Sequence, residues 1–366
     1  MARKRSVESI FVTSNKQSEC GIGRFISKYA LFGLLISVMA CGGSSSTTPV
    51  APTTTATTST ATPSTNAVTF SGAVTNIVTG TVVSGATVTI GTASATTGTD
   101  GMYSLEVTAS GQPTFSVSAS GYHTRESAVS MSGAMTINPE IIPQGDGFDL
   151  TFFDWLFREN GARGTVRPTI IPGYEIWTRQ IQCRSMIDDE YKSCGRAEVI
   201  ANDIPAHYEE NIRNGLTQFG RMTGGVFTNP RVTTKTHPVG TDIPPNDWLT
   251  ANGVVSLSYM PRGLWSDANN DGNDAFYSGE RRADKPAHIQ CGWRAAADLV
   301  IVTHELAHSL GFSHPSGTPT QESIMGDYQG GGYGISAADE LHGRILYKRP
   351  NGSLTPDRDP SGVTIN

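Results

Sequence analysis

His304-Glu305-Leu306-Ala307-His308-Ser309-Leu310-Gly311-Phe312-Ser313-His314 places three of the chain's eight histidines in one short window. The apolar residues before it predict a helix through Ala295–Leu310. On that helix His304 and His308 are four positions apart, so both imidazoles leave the same face, one turn from each other. Gly311 suits the left-handed conformation that stops a helix, and the turn beyond it lets His314 reach the same point from outside. Three neutral imidazoles fit one zinc ion at ~2.0–2.1 Å and leave a fourth position open, the pattern of a catalytic site. Glu305 sits beside the first ligand and cannot be the third. It is placed to take a proton from a water whose pKa a bound zinc would lower toward ~7, and to pass that proton to a leaving amine. The chemistry expected is metal-assisted amide hydrolysis. The competing reading, a polar helix end with incidental histidines, needs five positions to agree by accident.

The extended pattern H-E-x-x-H-x-x-G-x-x-H resembles the metzincin zinc metalloproteases, in particular their bacterial matrixin-like members. That resemblance implies an α+β protease domain, here residues 149–350, with a twisted sheet and an active-site helix. It also implies a Met-turn under the metal, which Ser323-Ile324-Met325-Gly326-Asp327-Tyr328 fits, with Met325 an apolar floor and not a ligand. Tyr328 lies three residues past Met325, where related families with a metal-side tyrosine have it two past, so that role does not carry over. Cys194-Gly195-Arg196 and Cys291-Gly292-Trp293 match a matrixin cysteine switch poorly. The likeness is strong over residues 295–328 and schematic over 149–294.

Working outward, a helix is expected to open near Asp203-Ile204-Pro205, since proline suits a first turn. It carries Tyr208, Ile212, Leu216, Phe219 and Met222 on one face and ends at Gly224-Gly225. Strand candidates follow at Gly253–Met260 and His288–Trp293, and a last helix at Ser336–Tyr347, leaving 351–366 as a tail. Cys183, Cys194 and Cys291 allow three pairings, one thiol staying odd; Cys183–Cys194 closes the shortest loop. Asp267, Asn269 and Asp271, with Gly272 next, open like a calcium loop. Ser278 stands where such a loop ends in glutamate, and a solvated Asn/Asp/Gly turn is the equal alternative.

Residues 67–143 alternate apolar and polar residues in short runs separated by turn signals, as in Val82–Ile90, Met102–Val107 and Phe115–Ser118. Such spacing predicts an all-β sandwich of about seven strands. Gly85-Ala86-x-Val88, Thr99-Asp100-Gly101-x-Tyr103-Ser104 and Ser120-Gly121-Tyr122 resemble carboxypeptidase regulatory-like, transthyretin-like domains. No catalytic group stands out here; His123 reads as an exposed loop residue and the domain as a spacer or docking module.

The N-terminus reads as an export signal. A basic segment precedes the apolar run 29–40, too short to span a bilayer. Val38-Met39-Ala40-Cys41 resembles a bacterial lipobox, which implies lipidation of Cys41 and anchoring to the cell envelope; ordinary cleavage near Ala40 is the alternative. Residues 41–66, almost all Ser, Thr, Ala, Pro and Gly, cannot bury enough surface to fold and read as a tether. The first 40 residues hold six basic against two acidic groups, so of the total charge of −6 the remainder carries −10. That sign excludes a nucleic-acid partner. The expected whole is a multidomain, exported, zinc-dependent endopeptidase acting on protein or peptide, membrane-attached through Cys41. The rivals are a surface adhesin on an inactive metzincin scaffold, which the retention of Glu305 disfavours, and a glycan-binding sandwich, for which no exposed aromatic cluster speaks.

Overall fold

A computed structural model describes residues 67–186, 194–249, 251–262, 275–279, 285–314, 319–326 and 334–365. Cys41, the tether, Asp267, Asn269, Asp271 and Tyr328 lie outside the described residues. No helix among the described residues is long and apolar enough to cross a membrane.

The N-terminal part consists of β1 (Val68–Ala73), β2 (Thr75–Asn76), β3 (Thr87–Ile90), β4 (Ala93–Thr96), β5 (Met102–Val107), β6 (Thr114–Ser118), β7 (Arg125–Ala128), β8 (Met135–Thr136) and β9 (Glu140–Ile141). Two sheets, β5-β1-β8 and β4-β3-β6-β7, supply the seven strands expected, and β2 pairs with β9 beside them. Alternation does the sorting. Tyr103, Leu105 and Val107 of β5 are buried while Met102, Ser104 and Glu106 between them are exposed. The inward sets of both sheets meet around Phe70, Val88, Ile90, Phe115 and Val117.

The second part runs α1 (Leu150–Phe157), β10 (Gly173–Trp177), β11 (Arg179–Met186), β12 (Cys194–Asp203), α2 (Ala206–Thr217), α3 (Phe219–Met222), β13 (Val232–Lys235), β14 (Asp242–Ile243), β15 (Val254–Met260), β16 (Ala275–Gly279), β17 (Ala287–Gly292), α4 (Leu299–His308) and α5 (Ala337–Tyr347). Its main sheet has the order β13-β10-β15-β17-β16, parallel except for the edge strand β16. Strands β15 and β17 are buried on both faces, as parallel strands under helices must be. The long helix read from Asp203 is broken in two at Gln218, although Tyr208, Ile212, Leu216, Phe219 and Met222 do all face the core. The histidine-bearing helix is also shorter than expected. Ala295–Ala297 forms a separate 3₁₀ turn, and Asp298 caps α4 by accepting from Val300 N–H at 2.8 Å. A smaller sheet, β11-β12-β14, carries the Cys183–Cys194 disulfide, and Cys291 is a buried free thiol.

Residues 351–365 and the sandwich both pack against the second part. Both lie in one compact unit, 63–366. Ile77 and Ile142 of the sandwich share a core with the second part. Past α5 the chain returns to the sandwich and runs parallel to β7. Glu126 N–H donates to Asp357 O, Asp359 N–H to Glu126 O and Ile365 N–H to Ala128 O, at 2.8–2.9 Å. Two buried arginines hold this strand. Arg349 grips Asp357 through two bonds of 2.6 and 2.7 Å, and Arg125 of β7 reaches Asp359 at 2.6 Å. His123 is likewise only half exposed, its ring edge-on to Phe148 at 5.9 Å. Removing one partner of a buried pair strands the other charge. Arg125→Ala is therefore expected to destabilise the protein by about 3–5 kcal/mol, read as a lower midpoint in urea unfolding, while Arg213→Ala, in an exposed ion pair with Glu209, should shift it by under ~1 kcal/mol.

Candidate metal centre

Helix α4 ends at His308, two residues before the expected Leu310, and the chain turns at Gly311. Gly311 has φ of 97°, and a Cβ there would lie 2.4 Å from the carbonyl oxygen of Val166. The chain reverses at this residue and brings His314 back to the helix. His304, His308 and His314 each offer a ring nitrogen, and these nitrogens lie within 4.8 Å of one another. His304 and His308 are buried, whereas His314 is exposed, so the cluster opens to solvent on one side.

The rings are aimed by backbone. His304 Nδ1–H donates to Ile324 O at 2.7 Å and His308 Nδ1–H to Phe312 O at 2.9 Å. Because a carbonyl can only accept, each bond fixes the neutral tautomer that leaves the lone pair on Nε2, the usual arrangement for an imidazole that ligates metal. Burial, with His314 close by, lowers the His304 pKa to about 4, so its ring is neutral at ordinary pH. This donor set, three imidazole nitrogens with one open side, fits an ion of the zinc class.

Glu305 is buried next to them. Burial pushes its carboxyl up to about 8, against a hydrogen bond from the backbone of Tyr277. A cation held at the histidines would favour the charged form. Tyr277 belongs to the edge strand β16, and its ring stands 5.6 Å from His308. Nothing in the sequence pointed to this residue, because β16 is recognised as the sheet's edge only once the strand order is known. Met325, expected beneath the metal, is buried in the segment whose Ile324 carbonyl orients His304.

A second carboxylate, Asp339, holds that segment. Its oxygens accept from Ser323 Oγ at 2.6 Å and Ile324 N–H at 2.8 Å, and from Ser336 N–H at 3.0 Å in a reciprocal capping box at the start of α5. Burial raises this carboxyl in spite of those bonds. The spacing Ser336-x-x-Asp339, that of a capping box, is the sequence signal that could have singled it out.

With this geometry in hand, comparison with known proteins divides the chain. Residues 69–140 match the carboxypeptidase regulatory-like domain family. The match spans the sandwich. No curated protein matches the chain. Among solved structures, a type II cohesin–X–dockerin complex from Acetivibrio cellulolyticus is similar at 28% identity over 20% of this chain and 56% of that one, with a TM-score of 0.18. A Bacteroides fragilis protein described as membrane-associated and of unknown function is similar at 19% identity over 29% of this chain and 32% of that one, TM-score 0.19. The aligned share is thus below two thirds of either solved chain.

The turn at Gly311 is the test of how the cluster is built. Gly311→Ala forces a Cβ onto Val166 O and a strained φ, and should cost about 2 kcal/mol or more, seen as a lower melting temperature measured without added metal.

Proposed function

We propose that this protein is a zinc-dependent endopeptidase of the metzincin type, exported and held at the bacterial cell envelope through lipidated Cys41. The observation that carries the reading is the convergence of His304, His308 and His314 beside the buried carboxylate of Glu305, next to β16, the edge strand of the main sheet among the described residues. His304, His308 and His314 would hold the ion. Bound zinc supplies Lewis acidity, making a water more acidic and a scissile carbonyl more electrophilic.

The remaining chemistry belongs to the chain. Glu305 accepts the proton of the attacking water and delivers it to the leaving nitrogen, so one carboxylate serves as base and then as acid. Its burial keeps bulk water from competing for that proton. Strand β16 offers its outer backbone edge for an extended substrate, the usual way a sheet edge recognises peptide. Tyr277, in the middle of that strand and bonded to Glu305 through its backbone, places the edge beside the histidines. The tether 41–66 would link the anchor at Cys41 to the folded parts. Support for the anchor is the sequence Val38-Met39-Ala40-Cys41.

The purified protein should contain about one equivalent of zinc, and His308→Ala should lose it. A folded, active protein without zinc would overturn the assignment. In a second measurement Glu305→Gln should keep its zinc while hydrolysis of casein falls by about 10²–10⁴-fold; undiminished proteolysis would place the base elsewhere. Zinc uptake with no cleavage across a broad peptide library would favour the adhesin, in which the same scaffold only binds.

A further inference from the structure

We infer that Asp149, at the junction of the sandwich and the second part, is a positioning residue for His304, acting through the segment 320–325; for the metal, this rests on the zinc reading above. Segment 320–325 matters because the Ile324 carbonyl sets the direction of the His304 ring. Asp339 holds its far end through Ser323 and Ile324. Asp149 holds the near end: its Oδ2 accepts from Thr320 Oγ1 at 2.8 Å, and Gln321 also bonds to its side chain.

The two residues are also linked through the backbone and α5. Asp149 N–H donates to His342 Nε2 at 3.0 Å, and His342 Nδ1–H donates to Ala338 O at 2.7 Å. His342 is three residues beyond Asp339 on α5, so both point from one helix face. The contacts close a ring: Asp149, His342, α5, Asp339, Ile324, Thr320 and back to Asp149. The sandwich leans on the same ring, since Phe148 stacks on His342 at 5.0 Å and His123 meets Phe148 edge-on. Asp149 has a separate local duty as well. Its Oδ1 caps α1, accepting from Thr151 N–H at 2.8 Å and Phe152 N–H at 3.1 Å.

Because the two oxygens have different duties, substitutions separate them. Asp149→Ser retains a capping oxygen, serine being about as good an N-cap as aspartate, but has nothing left for Thr320. Thr320→Val removes the hydroxyl from the other side. Asp149→Asn is the conservative rescue, its oxygen capping α1 and its amide donating to Thr320 Oγ1. On the purified protein, zinc transfer to a chromogenic chelator and hydrogen exchange at the Ile324 and Met325 amides are measured, with melting temperature as the control for folding. Asp149→Ser and Thr320→Val should each speed zinc release and amide exchange about three- to tenfold, the size of one hydrogen bond, with melting close to that of the wild type. The double variant should add nothing, since both act on one contact, and Asp149→Asn should behave as the wild type. Unchanged release and exchange in both single variants, additive effects in the double, or failure of asparagine to rescue would overturn the inference. A wild type that takes up no zinc sinks the peptidase reading instead, and the exchange rates then decide the coupling by themselves.

Discussion

One helix cannot surround a point. Side chains four apart on α4 bring two imidazoles to one side of it, and any third group must come from chain that has already left the helix. Gly311 supplies that departure. Its left-handed φ reverses the backbone within three residues of His308, and the carbonyl of Val166 occupies the space a side chain would need. The Phe312 carbonyl that orients His308 and the ring of His314 both lie beyond this turn. The fold around it serves to keep α4 and its continuation fixed against the sheet, with Leu306, Leu310 and Phe312 sunk into the main core.

A second layer of order surrounds the histidines. The His304 ring is directed by a backbone carbonyl, that carbonyl by a buried carboxylate, and the carboxylate by the start of α5. Each contact is a modest hydrogen bond. Together they leave the neutral imidazoles little freedom to turn away, the preorganisation a metal or catalytic site needs. The same layer reaches the sandwich through Asp149 and His342, so the domain matched to the carboxypeptidase regulatory-like family is mechanically part of the surroundings of the site.

Local patterns made much of this readable in advance. Period-two alternation located the sandwich strands, the spacing of Tyr208 to Met222 found the buried face of α2 and α3, and the histidine window placed the cluster. The shortest-loop choice of Cys183–Cys194 is the pairing found. What sequence reading missed depends on long-range pairing. Tyr277 gains its place only from the strand order, Asp339 only from the approach of residues 323 and 324, and Asp149 only from Thr320, far along the chain. The docking of the tail was illegible for the same reason. Residues 351–365 hold few apolar residues and no periodicity, and their affinity for β7 resides in backbone groups and in Asp357 and Asp359, whose partners come from elsewhere in the chain.

The strand laid along β7 also bears on how the molecule comes into being. The sandwich is synthesised first, yet the partner of its edge lies in residues 357–365, made only after everything between. The backbone groups of β7 and the side chain of Arg125 take their partners from that segment. The order of synthesis runs against the order of assembly. Non-local closure of this kind slows folding, so the chain gains its final stability late, after nearly all of it has emerged. The contact that joins the first-made part of the chain to the last-made one is therefore among the last the chain can complete.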